Sequence, residues 1–350
     1  MQRIRICGAA ASCVIFILFV TAGCTDLSQK PAGTQAKTQQ ASEDKVEPAE
    51  QSGPVELALK FAAGDSTTYR VIRKSDKSAK WEGPVPTEPK RFPGGHTGNR
   101  VEMVYTQQIQ SIDDEGNAAA KITIKELKYL AKVRDNVTLE FDSSKEPDPT
   151  SPLSKMIGQS YTIEITPSGQ VSRVIDAADA RAAVKGVSKA HEVADALLTE
   201  DAVKELIGIP ALPAADKNRV LPGGTWSNIE SFSFELMGPK SYERIYTLNE
   251  VRKIGNRRVA IAAMNAVPST EQAKELHKEE ESATALSRMF DNKETYTGEL
   301  KLDLTSGKIE NCREELMIEW FFVDPNPKAD ERPAALRMTA ELSYSIERVN

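Results

Sequence analysis

Alternation of apolar and polar residues with a period of two limits how this chain can fold. It is clearest in residues 296–304, 336–347 and 120–125, where apolar residues recur at almost every second position. A strand with this pattern has one buried and one solvated face and belongs to an antiparallel sheet, whereas a buried parallel strand is apolar throughout. The pattern therefore predicts an α+β chain that is predominantly antiparallel β, and it argues against a doubly wound nucleotide-binding fold.

Two parts of the chain are similar to each other. Each contains a strand, a Gly-Asn turn and a returning strand, followed by a Tyr-Thr strand and a Ser-Gly turn: residues 104–117 and 245–256, then residues 161–169 and 296–307. Gly-Asn turns tolerate positive φ and suit hairpins. The shared order predicts two related β-rich halves, residues 55–185 and 220–350, as an internal repeat. The alternative is that unrelated hairpins share turn residues by coincidence.

A helical connector is predicted between the two halves, at residues 186–219. Residues 176–198 are rich in Ala and space their apolar side chains by three and four, and residues 200–207 continue as a shorter amphipathic piece. Residues 270–290 have a similar spacing beside many Glu and Lys residues, which predicts a surface helix or a flap.

The amino-terminal segment predicts an export signal. Basic residues precede an apolar run over residues 9–20, which is shorter than the roughly 20 residues that span a bilayer. Residues 20–24, Val-Thr-Ala-Gly-Cys, resemble a bacterial lipobox, although Thr21 stands where Leu is usual. The resemblance implies that residues 1–23 are a lipoprotein signal peptide and that Cys24 is lipidated. The alternative is an ordinary cleaved signal in which Cys24 is incidental.

The segment after Cys24 predicts a disordered tether. Residues 24–54 contain almost no large apolar side chains, so they cannot bury enough surface to offset the entropy of ordering. We expect Cys24 to hold the protein at a membrane of the cell envelope, on its periplasmic or outer side. In the sorting rule that the lipobox implies, Thr25 favours the outer membrane. The balance of 51 Asp+Glu against 45 Lys+Arg argues against nucleic acid as a partner.

Sequence motifs supply no catalytic residue. His96, His191 and His277 complete no zinc motif, and the chain contains no nucleophile elbow, P-loop or dinucleotide fingerprint. Cys312 lies in a strand-like segment without His or Lys beside it, which favours a small core residue over a reactive thiol. We therefore expect neither a metal nor another cofactor, and we expect that the protein is not an enzyme.

Residues 317–323 are the most apolar segment after the signal. Trp320, Phe321 and Phe322 are accordingly the candidate ligand-binding residues, because small-molecule pockets are mostly apolar. They would line a groove for an acyl chain or another hydrophobic ligand. The alternative is that they belong to the ordinary core.

Several short motifs carry a resemblance to a known family: Phe141-Asp142-Ser143-Ser144, Met156-Ile157-Gly158-Gln159-Ser160-Tyr161, Ile165-Thr166-Pro167-Ser168-Gly169-Gln170-Val171, Leu221-Pro222-Gly223-Gly224-Thr225-Trp226-Ser227 and Tyr246-Thr247-Leu248. They resemble uncharacterised lipoproteins and secreted proteins typical of planctomycete-like bacteria. The resemblance supports the fold and the envelope location and brings no catalytic residues.

These features together predict a membrane-anchored, non-enzymatic binding module. Its partner would be a lipid or another hydrophobic ligand, a peptide, or an envelope protein. The alternative is an envelope hydrolase whose site is assembled from residues distant in the sequence. A hydrolase would need titratable groups that converge in one cleft, whereas a binding module needs an apolar concavity or a long free sheet edge.

Overall fold

A computed structural model describes residues 46–48, 53–83, 94–145, 149–271, 289–323 and 333–349 of the chain. Within them the chain forms fifteen β-strands: β1 (Val46–Pro48), β2 (Val55–Glu56), β3 (Ser66–Glu82), β4 (Gly95–Ile112), β5 (Ala118–Val133), β6 (Asn136–Asp142), β7 (Ser160–Ile165), β8 (Val171–Asp176), β9 (Arg219–Val220), β10 (Thr225–Ser233), β11 (Pro239–Ile254), β12 (Arg257–Ser269), β13 (Asp291–Asp303), β14 (Lys308–Val323) and β15 (Ala335–Val349).

Thirteen of the described strands form one antiparallel sheet. Its order is β1-β11-β12-β13-β14-β15-β3-β4-β5-β7-β8, with β10 paired to β11 and β6 paired to β5, while β2 and β9 pair with each other. The last strand, β15, pairs with β3 over its whole length, so the strands of the two predicted halves lie side by side in one continuous sheet. The expectation of a predominantly antiparallel β chain is confirmed.

Both predicted Gly-Asn hairpins are present. Between β4 and β5, Asp113 Oδ1 accepts the backbone N–H groups of Glu115 and Asn117 at 2.9 and 2.8 Å. Gly116 in this turn has a φ of 84°, a left-handed conformation that glycine adopts without steric cost. Gly255, with a φ of 58°, serves the same purpose between β11 and β12. Short-range turn chemistry therefore sets where these long strands reverse.

The two halves share a pairing order but not a register. The pairings β4-β5-β7-β8 and β11-β12-β13-β14 follow the same antiparallel sequence. If Tyr105 is matched to Tyr246, however, the ladder places Tyr161 in line with Leu300 and not with Tyr296. The Tyr-Thr motifs that suggested the repeat therefore occupy different levels of the sheet.

Three α-helices lie between β8 and β9 in the chain: α1 (Ala178–Ala183), α2 (Lys189–Ala196) and α3 (Glu200–Ile207). The continuous helix expected over residues 176–198 is two helices, because α2 begins anew after Ser188, whose side chain accepts the N–H of His191. Thr199 caps α3 by accepting the N–H of Ala202. Most of the second helical candidate, residues 272–288, lies outside the described residues.

The core lies against one face of the sheet, here called the inner face. On β14, every second residue from Cys312 to Trp320 is buried on this face, and the residues that alternate with them are exposed or half-buried. Leu206 of α3 and Leu212 after it belong to the same buried cluster. Burial of each such Leu contributes about 1.5–3 kcal/mol relative to exposure, so the helical segment is held to the sheet mainly by apolar contact.

Strand β1 lies inside the segment predicted to be a disordered tether. Val46, Glu47 and Pro48 pair with Ile254, Lys253 and Arg252 of β11. The difference has a physical reason, because the free edge of a sheet offers unpaired backbone groups to any nearby extended segment. Residues 24–45 and 49–52 of the same segment lie outside the described residues, and Cys24 is among them.

Candidate functional site

A cavity of about 530 Å³ opens on the inner face of the sheet. Its lining comes from the middle strands β3, β13, β14 and β15, from β8, β10 and β11, and from α3 with the chain that follows it. Because β8 and β10 lie near opposite ends of the sheet order, the sheet curls enough for distant strands to share one cavity. The volume falls within the range of about 300–1,000 Å³ that is typical of small-molecule sites.

Much of the cavity lining is apolar. The residues that form this apolar wall are Val171, Ile209, Pro210, Phe232, Leu316 and Leu342. The Phe232 ring packs edge-on against the ring of Tyr296, with centroids 5.9 Å apart. Such an arrangement fixes both rings in place. The wall therefore offers an apolar ligand a preformed surface.

A buried ion pair, Arg244 with Glu314, forms the polar floor of the cavity. Each residue is 5% exposed, and Arg244 Nη1 donates to Glu314 Oε2 at 3.0 Å. Arg244 Nη2 lies 3.0 Å from Glu230 Oε2, and its Nε donates to Asn228 Oδ1 at 2.7 Å. Burial lowers the pKa of Arg244, but the neighbouring negative charges of Glu314 and Glu230 outweigh it and the net direction is upward. The guanidinium is thus charged and held on three sides.

Two tyrosines complete the floor by donating to the same carboxylate. Tyr296 OH donates to Glu314 Oε2 at 2.7 Å, and Tyr246 OH donates to Glu314 Oε1. Burial, followed by the charge of Glu314, raises the pKa of both phenols well above the usual range. Both hydroxyls therefore remain protonated donors at neutral pH, and Glu314 receives hydrogen bonds from Arg244 and both tyrosines.

Glu230 is the floor residue that remains accessible. Its side chain is 40% exposed, whereas that of Arg244 is 6% exposed. Burial and the charge of Glu314 raise the pKa of Glu230, while Arg244 acts in the opposite direction. Because Glu230 lines the cavity, part of its exposed surface faces the space that a ligand would fill.

Residues 208–211, here called the strap, follow α3 and contribute Gly208, Ile209 and Pro210 to the cavity lining. The Ile209 N–H donates to the Gly169 carbonyl at 2.8 Å in the turn before β8. Three strap carbonyls accept hydrogen bonds from side chains of the sheet. Tyr344 OH donates to the Gly208 carbonyl at 2.7 Å, Asn228 Nδ2 to the Pro210 carbonyl at 2.9 Å, and Trp226 Nε1 to the Ala211 carbonyl at 2.9 Å. The strap is therefore fastened to three different parts of the sheet.

Helix α3 forms the rim beside the strap. Glu205 of α3 lies 2.5 Å from Arg73 Nη1 of β3, and both side chains are partly exposed, at 58% and 41%. An ion pair this exposed contributes only about 0–1 kcal/mol. The strap and the apolar face of α3 therefore hold this side of the cavity more firmly than the rim pair does.

The structure separates the three aromatic residues proposed from the sequence. Trp320 is buried on the inner face, edge-on to Phe234 at 5.4 Å, and Phe322 packs against Phe290 at 5.5 Å. The Phe321 ring instead lies 5.3 Å from the guanidinium carbon of Arg337. The lining of the cavity consists of other residues, so these aromatics and the cavity are distinct features of the fold.

The titratable residues noted in the sequence also lie apart from one another. Cys312 is fully buried next to the floor, and burial, followed by the charge of Glu314, raises its thiol pKa. His96 is exposed with its Nδ1 3.5 Å from Asp76, and His191 Nδ1 shares a hydrogen bond with Ser188. His277 lies outside the described residues.

Sequence reasoning missed the floor residues, although a signal for them exists. Glu314 occupies the same phase of the β14 alternation as Cys312, Leu316 and Ile318. Arg244 likewise occupies the phase of Tyr242 and Tyr246 on β11. A charge in the apolar phase of a strand must find a partner on the buried face, because an unpaired buried charge is costly. Two such residues of opposite sign predict a buried pair.

Comparison with known proteins finds a matching family and matching solved structures. The sequence profile of a family of unknown function (DUF6263) matches residues 115–309, which include Glu230, Arg244 and Tyr296. No curated protein matches the chain. A solved structure described as showing lipid–protein interactions in lipovitellin aligns over 83% of this chain with 10% identity and a TM-score of 0.38. The alignment covers 26% of that chain, so this chain spans about a quarter of it.

Neither membrane-spanning helices nor metal sites are found in the described part of the chain. None of its helices is both long and apolar enough to cross a membrane. No group of three His, Cys, Asp or Glu side chains in the same residues is arranged to hold a metal ion.

Proposed function

Since this chain belongs to the family of unknown function that matches residues 115–309, we propose its function from the geometry of the cavity. We propose a non-enzymatic binding module that takes a small hydrophobic ligand, such as a single acyl chain, on the inner face of the sheet. The observation that carries the proposal is the cavity of about 530 Å³ between an apolar wall and a charged floor.

The bonding of the floor favours binding over catalysis. Glu314 accepts hydrogen bonds from Arg244 and from two protonated tyrosines, so neither phenol acts as a base at neutral pH. A satisfied hydrogen-bond network of this kind is rigid, so we expect it to orient a ligand and not to react with it. The alternative, an envelope hydrolase, would require turnover of an ester or peptide substrate by the purified protein.

Filling the cavity is expected to abolish ligand uptake. Leu342→Trp places a larger side chain in the apolar wall and should weaken binding of the neutral hydrophobic dye Nile red at least tenfold, measured by its fluorescence. The matched control is Met317→Trp, because Met317 lies on an adjacent strand and is 47% exposed on the outer face. Circular dichroism verifies that both variants fold. Equal dye affinity in the two folded variants would show that the cavity is not the binding site.

We propose that Cys24 anchors this module in the cell envelope through lipidation, with outer-membrane retention favoured by Thr25. The support is the lipobox-like segment before Cys24 and the tether after it. The part of the tether between Cys24 and β1 has about 20 residues and would reach roughly 25 Å as a flexible coil, which is enough to hold the module clear of the lipid surface.

Removing the anchor is expected to release the protein. With Cys24→Ala, the chain should move from the membrane fraction to the soluble fraction and lose incorporation of labelled fatty acid, because stable anchoring requires the acyl chains. The Cys312→Ala variant, in which the buried thiol is changed, is the control and should keep both properties. Continued membrane association of the Cys24 variant after a high-salt wash, with acyl labelling intact, would refute lipidation at this residue.

We also retain the internal repeat and its helical connector as a hypothesis. The support is the shared pairing order of the two halves and the place of α2 and α3 between them in the chain. Tyr161 and Tyr296 lie at different levels of the sheet. If the halves arose by duplication, the strand that carries the Tyr-Thr motif has therefore since shifted its register by several residues in one of them.

A further inference from the structure

We propose that the ligand carries a cationic hydrogen-bond donor, such as a primary ammonium group, at the end of its apolar chain, and that Glu230 receives it. This inference rests on the proposed binding function and names the chemical class of the ligand head group. It is carried by the balance of charges in the cavity and by the position of Glu230 beside the apolar wall.

The cavity lining contains four cations and three carboxylates, but two of the cations pair with carboxylates outside the lining. Two lining cations, Lys74 and Lys204, direct their ammonium groups to Glu341 and Glu200, at 2.6 and 2.8 Å, and neither of these carboxylates lines the cavity. The other lining cations are Arg73 and Arg244, and the lining carboxylates are Glu205, Glu230 and Glu314. One negative charge is therefore left without a cation of its own.

Glu230 is the residue that carries this excess charge. Arg73 is paired with Glu205, and Arg244 shares its charge between Glu314 and Glu230. Glu314 receives three hydrogen bonds, whereas Glu230 contacts Arg244 through Oε2 alone among the described residues. Glu230 Oε1 is thus the acceptor on the floor that remains open to a donor from the ligand.

The position of Glu230 on its strand suits an amphipathic ligand. Side chains two residues apart on a strand lie on the same face, so Asn228, Glu230 and Phe232 follow one another along the cavity side of β10. An ammonium at Glu230 would leave the adjoining chain beside Phe232 and the rest of the apolar wall. A carboxylate head group at the same position would instead face the Glu230 carboxylate, and like charges in a partly buried site repel.

Three probes that share a dodecyl chain test the head group: dodecylamine, dodecanol and dodecanoate, titrated by calorimetry at neutral pH below their critical micelle concentrations. Dodecylamine should bind about tenfold more tightly than the other two, which corresponds to about 1.4 kcal/mol. Glu230→Gln should remove this preference, because Gln still accepts from Arg244 but lacks the negative charge that attracts an ammonium group. Glu299→Gln is the matched control and should keep the preference, since Glu299 is 46% exposed and lies outside the cavity.

The other outcomes separate this inference from the proposed function. Equal affinities in the wild type, or tighter binding of dodecanoate, would overturn the ammonium assignment while leaving the binding function in place. Binding of none of the three probes would overturn the binding function itself.

The pH dependence provides a second readout. The pKa of Glu230 is raised by burial and by Glu314, and the groups that face it are Arg244, Arg73, Glu205 and Tyr296 in addition to Glu314. An alkylammonium has a pKa near 10 and stays charged throughout. The preference for dodecylamine should therefore be complete well above the Glu230 pKa and disappear as the pH falls through it. A preference that is independent of pH into the acidic range would contradict the role of Glu230.

Discussion

Replacing Glu314 by Leu is expected to lower the free energy of unfolding by about 3–5 kcal/mol, because removing one partner of a buried ion pair leaves the other charge uncompensated. Arg244 would lose a partner at 3.0 Å, and the hydroxyls of Tyr246 and Tyr296 would be left without their acceptor. Urea unfolding followed by circular dichroism measures the change.

Two further variants isolate the cause. Glu315→Leu changes the next residue on the same strand, whose side chain is 37% exposed, and should alter stability by no more than about 1 kcal/mol. The double variant Arg244→Met/Glu314→Leu should recover part of the loss, because it removes both buried charges together. If Glu314→Leu is no more destabilising than Glu315→Leu, the floor is not a buried, coupled network.

Replacing Trp226 by Ala is expected to lower the free energy of unfolding by about 3–5 kcal/mol, the usual cost of removing a large buried aromatic side chain. The Trp226 ring stacks on Tyr246 with centroids 5.4 Å apart, and its Nε1 donates to the strap at Ala211. The variant removes both contacts, so it should also loosen the strap and weaken Nile red binding. Thermal unfolding and dye titration measure the two effects.

A second variant of Trp226 separates its hydrogen bond to the strap from the packing of its ring on Tyr246. Trp226→Phe keeps an aromatic ring on Tyr246 but leaves the Ala211 carbonyl without its donor, which should cost about 1–3 kcal/mol. Phe321→Ala removes an aromatic ring away from the cavity, where Arg337 lies 5.3 Å from it, and should leave dye affinity unchanged. If Trp226→Phe and Trp226→Ala lower the free energy of unfolding by the same small amount, the Trp226 ring does not secure the strap.

The hairpins were predictable because their determinants are local. The Gly-Asn turns lie within a few residues of the strands they join, and alternation along each strand assigns its buried face. The break between α1 and α2 was missed for a related reason. The Ala-rich spacing continues across it, and it is the cap at Ser188 that starts a new helix.

The candidate site was less predictable because its determinants are distant in the sequence. Arg244 and Glu314 are separated by 70 residues. They meet although β12 and β13 lie between their strands, because the sheet curls. Residues 320–322 were candidate ligand-binding residues because a local apolar run can be recognised from the sequence alone. Its side chains alternate across the sheet, however, so Phe321 lies on the opposite face from Trp320 and Phe322.

The sequence by itself determined the class of the fold, since a period of two specifies antiparallel strands with one buried face. It also determined that the buried phase contains two opposite charges that need partners. Only the tertiary structure decided which strands became neighbours, because strand order and register depend on contacts between segments far apart in the chain. The curled sheet brings β8 and β10 to one cavity and places Arg244 on Glu314 with Glu230 open beside them.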